Sequence, residues 1–264
     1  LLLSEYPQSI FLHNISGAAN QGMGNLEKAL DAYKTALSIN PSYAEAYNNT
    51  GSVYRDQGKL EMAVDAYEKA IFLKPNYTEA LCNLGVVFQD QGKFDDAIKV
   101  CNRALSIDPN SAQAYNNMGN ALRSQDKLEE AIQAYTKALE LRADYAMAYN
   151  NIGIVLQDQG KLAEAVDIYK KAIFLKPDFT EAFFNMGIIL KGMTFNKPNP
   201  SLQKAINELL NKKSYVRPID ISKAAISLIK SEPNFQRQQQ LVSSEDGEQK
   251  LTTIIKNFNK LPLL

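Results

Sequence analysis

A column of asparagines is the most regular chemical feature of this sequence. Its members stand 34 positions apart and are Asn49, Asn83, Asn117, Asn151 and Asn185. A side-chain amide offers both a hydrogen-bond donor and an acceptor, which is what pairing with the main chain of an extended peptide requires. The column therefore predicts a ladder of peptide-binding groups. The alternative is that these amides bond only within or between helices.

Charged residues recur beside this column. Glu45 and Glu79 stand four positions before two of the asparagines, and Arg55 and Arg123 stand six positions after two of them. If they share a surface with the asparagines, its mixed but mainly acidic charge favours a peptide that carries some basic residues. We include these four residues with the five asparagines in the predicted peptide-binding site.

Few residues could support catalysis or metal binding. The 264-residue chain has one histidine, His13, and two cysteines, Cys82 and Cys101. These are too few for a zinc site and for nucleophilic catalysis with a histidine base. We expect His13 to fill a packing position, Cys82 to lie on the peptide-binding face and Cys101 on a packing face, both thiols being reduced. The chain is predicted to be non-catalytic, with no cofactor, metal or small-molecule substrate.

Charge and hydropathy narrow the class of partner. Lys plus Arg and Asp plus Glu both number 29, so the chain lacks the basic excess from which non-specific nucleic-acid binding draws its affinity. Its apolar runs are far shorter than the roughly 20 residues that a membrane helix needs. We expect a soluble, cytoplasmic protein whose partner is a protein or peptide, with no nucleic acid and no membrane.

The asparagines belong to a repeat of 34 residues. Glycine recurs in this period at positions 17, 51, 85, 119, 153 and 187, and alanine and proline form further columns. Within residues 44–77, apolar residues are spaced by three and four on both sides of Gly58, and Pro75 cannot continue a helix. Each repeat is therefore predicted to be two helices, A and B, joined by a tight turn. Places in a repeat are numbered 1 to 34 from the start of helix A, so that the asparagine column is place 6.

The glycine and alanine columns also predict how the helices pack. Small residues such as Gly51 and Ala63 would let two helix backbones approach closely, and large ones such as Tyr67 would fill the space between neighbouring hairpins. One hairpin cannot bury its faces alone, so several must stack.

This pattern resembles the tetratricopeptide repeat family, with an aromatic residue at place 4, Gly at place 8, Ala at places 20 and 27 and Pro at place 32. Departures are His13 and Cys101 at aromatic places and Asp126 at a turn glycine, which we expect to loosen packing locally. The resemblance implies an all-α superhelix, a solenoid of helix-turn-helix units whose A helices line a concave wall. It is most similar to the superhelical arm of the O-GlcNAc transferases, whose inward asparagines hold peptide backbones.

The repeats divide the chain into three parts. Residues 1–9 are interpreted as the remnant of a truncated repeat, and 10–192 as five full repeats and helix A of a sixth. The repeats begin at 10, 44, 78, 112, 146 and 180. Residues 193–264 are predicted to be a non-repeat helical cap, with helices at 200–212, 220–231, 234–242 and 248–259. Residues 1–190 hold 17 basic and 23 acidic side chains, whereas 191–264 hold 12 and 6.

The resemblance and the asparagine column together predict a non-catalytic scaffold that binds an extended peptide on its concave face. The alternative is the substrate-selecting arm of a larger glycosyl-, methyl- or sulfotransferase whose catalytic domain lies outside this sequence. RNA binding would need a basic concave face, which the acidic balance of the repeats opposes. Capture of chaperone carboxyl termini, known in a relative, uses Lys and Arg on helix A, where places 2 and 5 here lack them.

Overall fold

A computed structural model describes residues 2–191, 193–194, 202–203, 206 and 224–227. All regular structure in these residues is helical. The chain divides into two compact units, residues 1–143 and 144–264, and each is described by itself.

The first unit is a series of helix hairpins. Its described helices are α1 (Leu2–Glu5), α2 (Ile10–Gly22), α3 (Leu26–Ile39), α4 (Ala44–Asp56), α5 (Leu60–Leu73), α6 (Thr78–Asp90), α7 (Phe94–Ile107), α8 (Ala112–Ser124) and α9 (Leu128–Leu141). From α2 onward they pack in consecutive pairs. In the described part of the second unit, α10 (Ala146–Asp158) and α11 (Leu162–Leu175) form a hairpin, which is followed by α12 (Thr180–Leu190). None of the described helices is long and apolar enough to span a membrane.

The repeat frame and the all-α fold class predicted from the sequence are confirmed. The even-numbered helices α2 to α12 are A helices, and they begin at the predicted residues 10, 44, 78, 112, 146 and 180. The odd-numbered helices α3 to α11 are B helices, and each ends two residues before place 32, which is proline after every B helix except α9, where it is Ala143. Proline has no N–H and fixes its own φ, so it prevents the B helix from continuing. The sequence therefore sets the helix boundaries locally, before any packing is considered.

Two A helices begin at a serine cap. Ser9 Oγ accepts a hydrogen bond from the Leu12 backbone N–H, and Ser111 Oγ accepts one from the Ala114 backbone N–H, each at 3.3 Å. Such a bond satisfies one of the N–H groups that a helix start leaves without an intrahelical partner.

The turn between helices A and B contains one residue in the left-handed region. Gly58 has φ +73°, and Asp126 has φ +61° at the same place of its own repeat. A residue with a Cβ pays about 1 kcal/mol for this conformation, and Asp is among the few that adopt it. The expectation that Asp126 loosens its hairpin is therefore corrected, since the turn geometry is retained and the cost lies in backbone strain.

A tyrosine ring lying on a glycine forms the core of most hairpins. A Cβ added to Gly51 would lie 2.9 Å from the Tyr67 ring, and one added to Gly119 would lie 2.6 Å from the Tyr135 ring. Both rings are almost completely buried. The Tyr67 ring occupies the place that the glycine of its own A helix leaves open. It also belongs to a buried cluster with Leu81 and Leu84 of the next hairpin, as expected from the sequence.

The third repeat replaces this arrangement with smaller side chains. Cys101 stands where the other B helices carry tyrosine, and a Cβ on Gly85 would lie 3.3 Å from both Cys101 Sγ and Val100 Cγ2. This glycine therefore has more room beside it than Gly51 or Gly119.

The A helices form the inner layer of the first unit. Helix α4 contacts α2 and α6, and α6 contacts α8, whereas no two of the B helices described in this unit come into comparable contact. In a stack of hairpins, the layer whose helices lie closer together is the layer on the inside of the curve. The side chains that A helices present away from the B helices therefore line the inner surface of this unit.

Most of the predicted C-terminal cap lies outside the described residues. Residues 202–203, 206 and 224–227 are helical, and Leu202, Ile206 and Ala224 are buried. The helices predicted at 234–242 and 248–259 lie outside the described residues. The division of the chain into remnant, repeats and cap stays a prediction.

Candidate peptide-binding surface on the A helices

The asparagine column lies on the face that each A helix turns toward the preceding A helix. Four of its amide nitrogens donate to that helix: Asn49 Nδ2 to Asn14 Oδ1 (2.9 Å), Asn83 Nδ2 to Asn48 Oδ1 (3.1 Å), Asn117 Nδ2 to the Cys82 carbonyl oxygen (3.1 Å) and, within the second unit, Asn185 Nδ2 to Asn150 Oδ1 (3.1 Å). Every one of these bonds joins place 6 to place 5 of the preceding repeat. Asn151 is buried and also has an interaction partner.

The column therefore holds neighbouring A helices together. The bonds between helices that the sequence left as an alternative are present for four of the five amides, and the expectation that the whole amide faces a guest chain is corrected. An asparagine has two N–H groups and a carbonyl oxygen, so one bond leaves part of each amide available.

Asn48 fixes the orientation of the Asn83 amide. Asn48 Nδ2 donates to Glu79 Oε1 at 3.4 Å, and a carboxylate only accepts, so the oxygen of Asn48 faces Asn83. Asn83 must then turn its nitrogen toward Asn48. The main-chain carbonyl of Cys82 is also an acceptor and orients Asn117 in the same way.

The side-chain oxygens Asn83 Oδ1 and Asn117 Oδ1 are consequently left over, whereas the Asn117 main-chain carbonyl accepts from Gln89 Nε2 at 2.8 Å. Neither side-chain oxygen accepts a hydrogen bond from the part of the chain that the structure describes, and neither is among the oxygens that lie fully buried without a partner. Neither oxygen is therefore completely enclosed, although the Asn117 side chain as a whole is only 5% exposed.

Two charged residues of the predicted site form ion pairs with residues outside it. Arg55 Nε lies 2.6 Å from Asp90 Oδ2, and Glu45 Oε1 lies 3.0 Å from Lys74 Nζ. Partial burial raises the pKa of Glu45, but the hydrogen bonds from Lys74 and its own backbone and the Lys74 charge outweigh it and hold that pKa below its ordinary value. Arg123 is half-buried and also has a partner.

Family models match most of the repeat region. The model described as tetratricopeptide repeat matches residues 76–144 and 110–173, and the model described as TPR repeat matches residues 23–54, 51–92 and 155–193. The chain belongs to the tetratricopeptide repeat family. Proteins built from these repeats are in general non-catalytic scaffolds, and membership supports a protein-interaction role for this chain.

Solved structures of other tetratricopeptide proteins have a similar fold. The crystal structure of the MamA protein is 27% identical, with a TM-score of 0.51, and the match covers 64% of this chain and 92% of that chain. TTC0263 of Thermus thermophilus is 19% identical with a TM-score of 0.63, covering 69% and 99%. PilF of Pseudomonas aeruginosa is 18% identical with a TM-score of 0.63, covering 88% and 96%. The last two show the fold alone. No curated protein matches the chain.

Sequence reasoning missed the acceptors of the asparagine column. They are the residues at place 5 of the tetratricopeptide repeat, namely Asn14, Asn48 and Asn150, with the Cys82 main chain in the third repeat. A signal was present, because an Asn directly precedes the place-6 asparagine in most of the repeats. Two adjacent amides on one helix allow one to face the preceding repeat and the other to face the following one.

The cysteines and the histidine do not form a reactive group. Burial raises the pKa of Cys82 to about 11 and that of Cys101 to about 12, so both thiols are protonated at neutral pH. Cys82 was expected on the peptide-binding face, but its side chain is buried. His13 Nε2 lies 2.9 Å from the Pro7 carbonyl oxygen. No group of metal-ligating side chains occurs among the described residues.

A groove lies on the opposite, B-helix side of the tetratricopeptide hairpins in the first unit. It has a volume of about 690 Å³ and runs between α5 and α7 over α6. Ile71, Phe72, Phe88 and Val100 are among its lining residues, and Phe72 is 76% exposed. This groove could not be predicted from the sequence, because its lining residues come from two different repeats and form no column.

Proposed function

We propose that this protein is a non-catalytic scaffold whose first unit binds an extended segment of a protein partner along the inner surface formed by α4, α6 and α8. The proposal is carried by the side-chain oxygens Asn83 Oδ1 and Asn117 Oδ1, which are oriented by bonds on the nitrogen side and accept no hydrogen bond from a described residue. An oxygen held in this way is pre-organised to accept a main-chain N–H from a guest chain. Holding an amide in its bound orientation beforehand lowers the entropy that binding must lose.

The remaining members of the predicted site contribute in different ways. Glu79 is exposed on the first turn of α6, and we propose that its carboxylate accepts a hydrogen bond from the guest chain beside Asn83. Glu45 and Arg55 already have charged partners, and a guest would have to compete with them. Asn151 and Asn185 stand at place 6 in the second unit, and we propose that they also contact a guest chain.

The number of available groups limits the affinity. A net hydrogen bond contributes about 1 kcal/mol, so a few such contacts give roughly 3 to 5 kcal/mol before the guest chain is ordered. That corresponds to dissociation constants of about a millimolar or weaker from this source alone. Tighter binding requires side-chain contacts from the partner.

The proposal is tested by selecting 12-residue peptides from a random display library on the immobilised protein. Each selected peptide is then synthesised with a benzophenone group, cross-linked by light, and the attachment site is mapped by mass spectrometry. Attachment to α4, α6 or α8 on the A-helix side supports the proposal. Attachment to the groove around Phe72, or absence of any peptide that binds above a scrambled control, overturns it.

A pair of variants sharpens this test. Asn83→Ala removes an exposed acceptor on the A-helix side, whereas Phe72→Ser changes an exposed residue on the B-helix side. The proposal expects weaker binding of the selected peptides by Asn83→Ala and unchanged binding by Phe72→Ser, with helicity measured by circular dichroism in both.

A further inference from the structure

A carboxylate without a cation lies beside the available amide oxygens. Glu79 accepts one long hydrogen bond, from Asn48 Nδ2 at 3.4 Å, and makes no ion pair with any residue that the structure describes. Glu79 and Asn83 are four positions apart on α6, so their side chains lie on one face of the helix. The Glu79 charge also acts on Cys82, the residue whose carbonyl accepts the Asn117 amide.

The other carboxylates near Glu79 differ in whether they have a positively charged partner. Glu45 has Lys74 and Asp90 has Arg55 as ion-pair partners. Asp56, like Glu79, has only an amide, since it accepts from Gln21 Nε2 at 2.7 Å. After these pairings, Glu79 and Asp56 on α4 and α6 have no cationic partner among the residues that the structure describes.

The amide oxygens add to this excess of acceptors. The Asn117 side chain is 5% exposed, and its oxygen has no partner. An acceptor in a largely desolvated position interacts strongly with a donor that reaches it, because the surroundings screen the interaction less than water does. The surface around α6 therefore presents a carboxylate and two oriented carbonyl oxygens without an opposing positive charge.

Resting on the proposed function, we propose that the partner segment is basic and that one Lys or Arg side chain binds at Glu79 and Asn83. The side chain donates to the Glu79 carboxylate and to Asn83 Oδ1, while the neighbouring main chain of the partner donates to Asn117 Oδ1. An ammonium or guanidinium group has only donors, which matches the Glu79 carboxylate and the oxygens Asn83 Oδ1 and Asn117 Oδ1. A phosphorylated or acidic segment would bring like charge to Glu79 and is disfavoured.

The test uses the full chain and the peptides selected from the random library. Each Lys in a selected peptide is replaced by norleucine and each Arg by citrulline, and the affinities are measured by fluorescence anisotropy. Glu79→Gln is compared with Glu61→Gln, which removes the same charge from an exposed position on the B helix α5. We expect Glu79→Gln to weaken binding by at least about tenfold, as for the loss of one charge-assisted hydrogen bond, and Glu61→Gln to leave it unchanged.

Salt provides a second readout. The affinity of the wild-type protein should fall as sodium chloride rises from 50 to 500 mM, and the affinity of Glu79→Gln should fall less, because screening acts on the ion pair. Selected peptides without Lys or Arg, or equal binding after norleucine and citrulline replacement, overturn the inference. If that happens while cross-links still map to the A helices, only the basic character of the partner is wrong. If cross-links map elsewhere, the proposed function fails as well.

Discussion

The side-chain amide of Asn117 donates to the main-chain carbonyl of Cys82 at 3.1 Å, across two successive A helices. The equivalent asparagines in three other repeats donate instead to a side-chain amide. Cys82 has no amide, and the main chain takes over the role of acceptor. The link between neighbouring A helices is thus preserved where the side chain that normally forms it is absent.

Removal of this amide should destabilise the protein. Asn117→Ala leaves the Cys82 carbonyl without its side-chain partner in a buried position, so the free energy of unfolding should fall by about 1 to 3 kcal/mol. Urea denaturation followed by circular dichroism measures this change. Asn102→Ala on the exposed side of α7 is the matched control and should change stability by less than about 0.5 kcal/mol. Equal stability of the two variants would show that the bond contributes nothing.

The glycines at place 8 should differ in their tolerance of alanine. Gly119→Ala places a Cβ 2.6 Å from the Tyr135 ring, whereas Gly85→Ala places one 3.3 Å from Cys101 Sγ and Val100 Cγ2. Overpacking costs typically 1 to 3 kcal/mol, while alanine favours the helix by about 1 kcal/mol. Gly119→Ala should therefore be less stable than Gly85→Ala by at least about 1 kcal/mol. Thermal denaturation of both variants checks this order, and the reverse order would contradict the packing described.

Relief of the strain at Asp126 should stabilise the fourth repeat. Asp126→Gly removes a Cβ from a residue with φ +61° and should raise the free energy of unfolding by about 1 kcal/mol. Gly92→Asp places a Cβ on a residue that already has φ +73° and should lower the free energy of unfolding by a similar amount. A loss of stability in Asp126→Gly would indicate that the carboxylate makes a contribution larger than the strain.

The two thiols should be unreactive in the folded protein. Burial raises the pKa of Cys82 to about 11 and of Cys101 to about 12, so little thiolate forms at pH 8 and access is blocked as well. A chromogenic disulfide reagent should label neither thiol in native buffer and both in 6 M guanidinium chloride. The unfolded thiols have a pKa of about 8.5, below the pKa values of the folded thiols. The stability that comes from keeping both thiols protonated is therefore fully present below about pH 8.5 and is lost as pH rises toward the folded pKa values. Rapid labelling of either cysteine at pH 8 would contradict the burial.

The repeat frame could be predicted from the sequence because the period itself fixes it. A turn residue at place 15 and a proline at place 32 act locally, and the helices begin and end where those signals place them. The contact between Tyr67 and Gly51 could not be predicted, since a column of repeated spacing does not show which face of helix B meets helix A.

The hydrogen bonds between the asparagines and the preceding A helices could not be predicted for a related reason. The bonds join residues 35 positions apart, one more than the period, as in Asn83 with Asn48 and Arg55 with Asp90. Such an offset depends on the rotation of each A helix relative to the next, which a pattern of identical spacings does not contain. The interpretation of the chain as the arm of a larger transferase, its similarity to the O-GlcNAc transferases in particular and the cytoplasmic location stay predictions.

The short reach of the links between repeats has a consequence for how the protein comes apart. The side-chain bonds between A helices and those from Gln57 to Glu27 and Gln125 to Asp95 span 30 to 35 residues, so each repeat is tied to its immediate neighbour. Loss of one terminal hairpin therefore leaves the bonds of the interior hairpins in place. Unfolding should advance one hairpin at a time, and amide hydrogens near α2 should exchange with solvent sooner than those of α6.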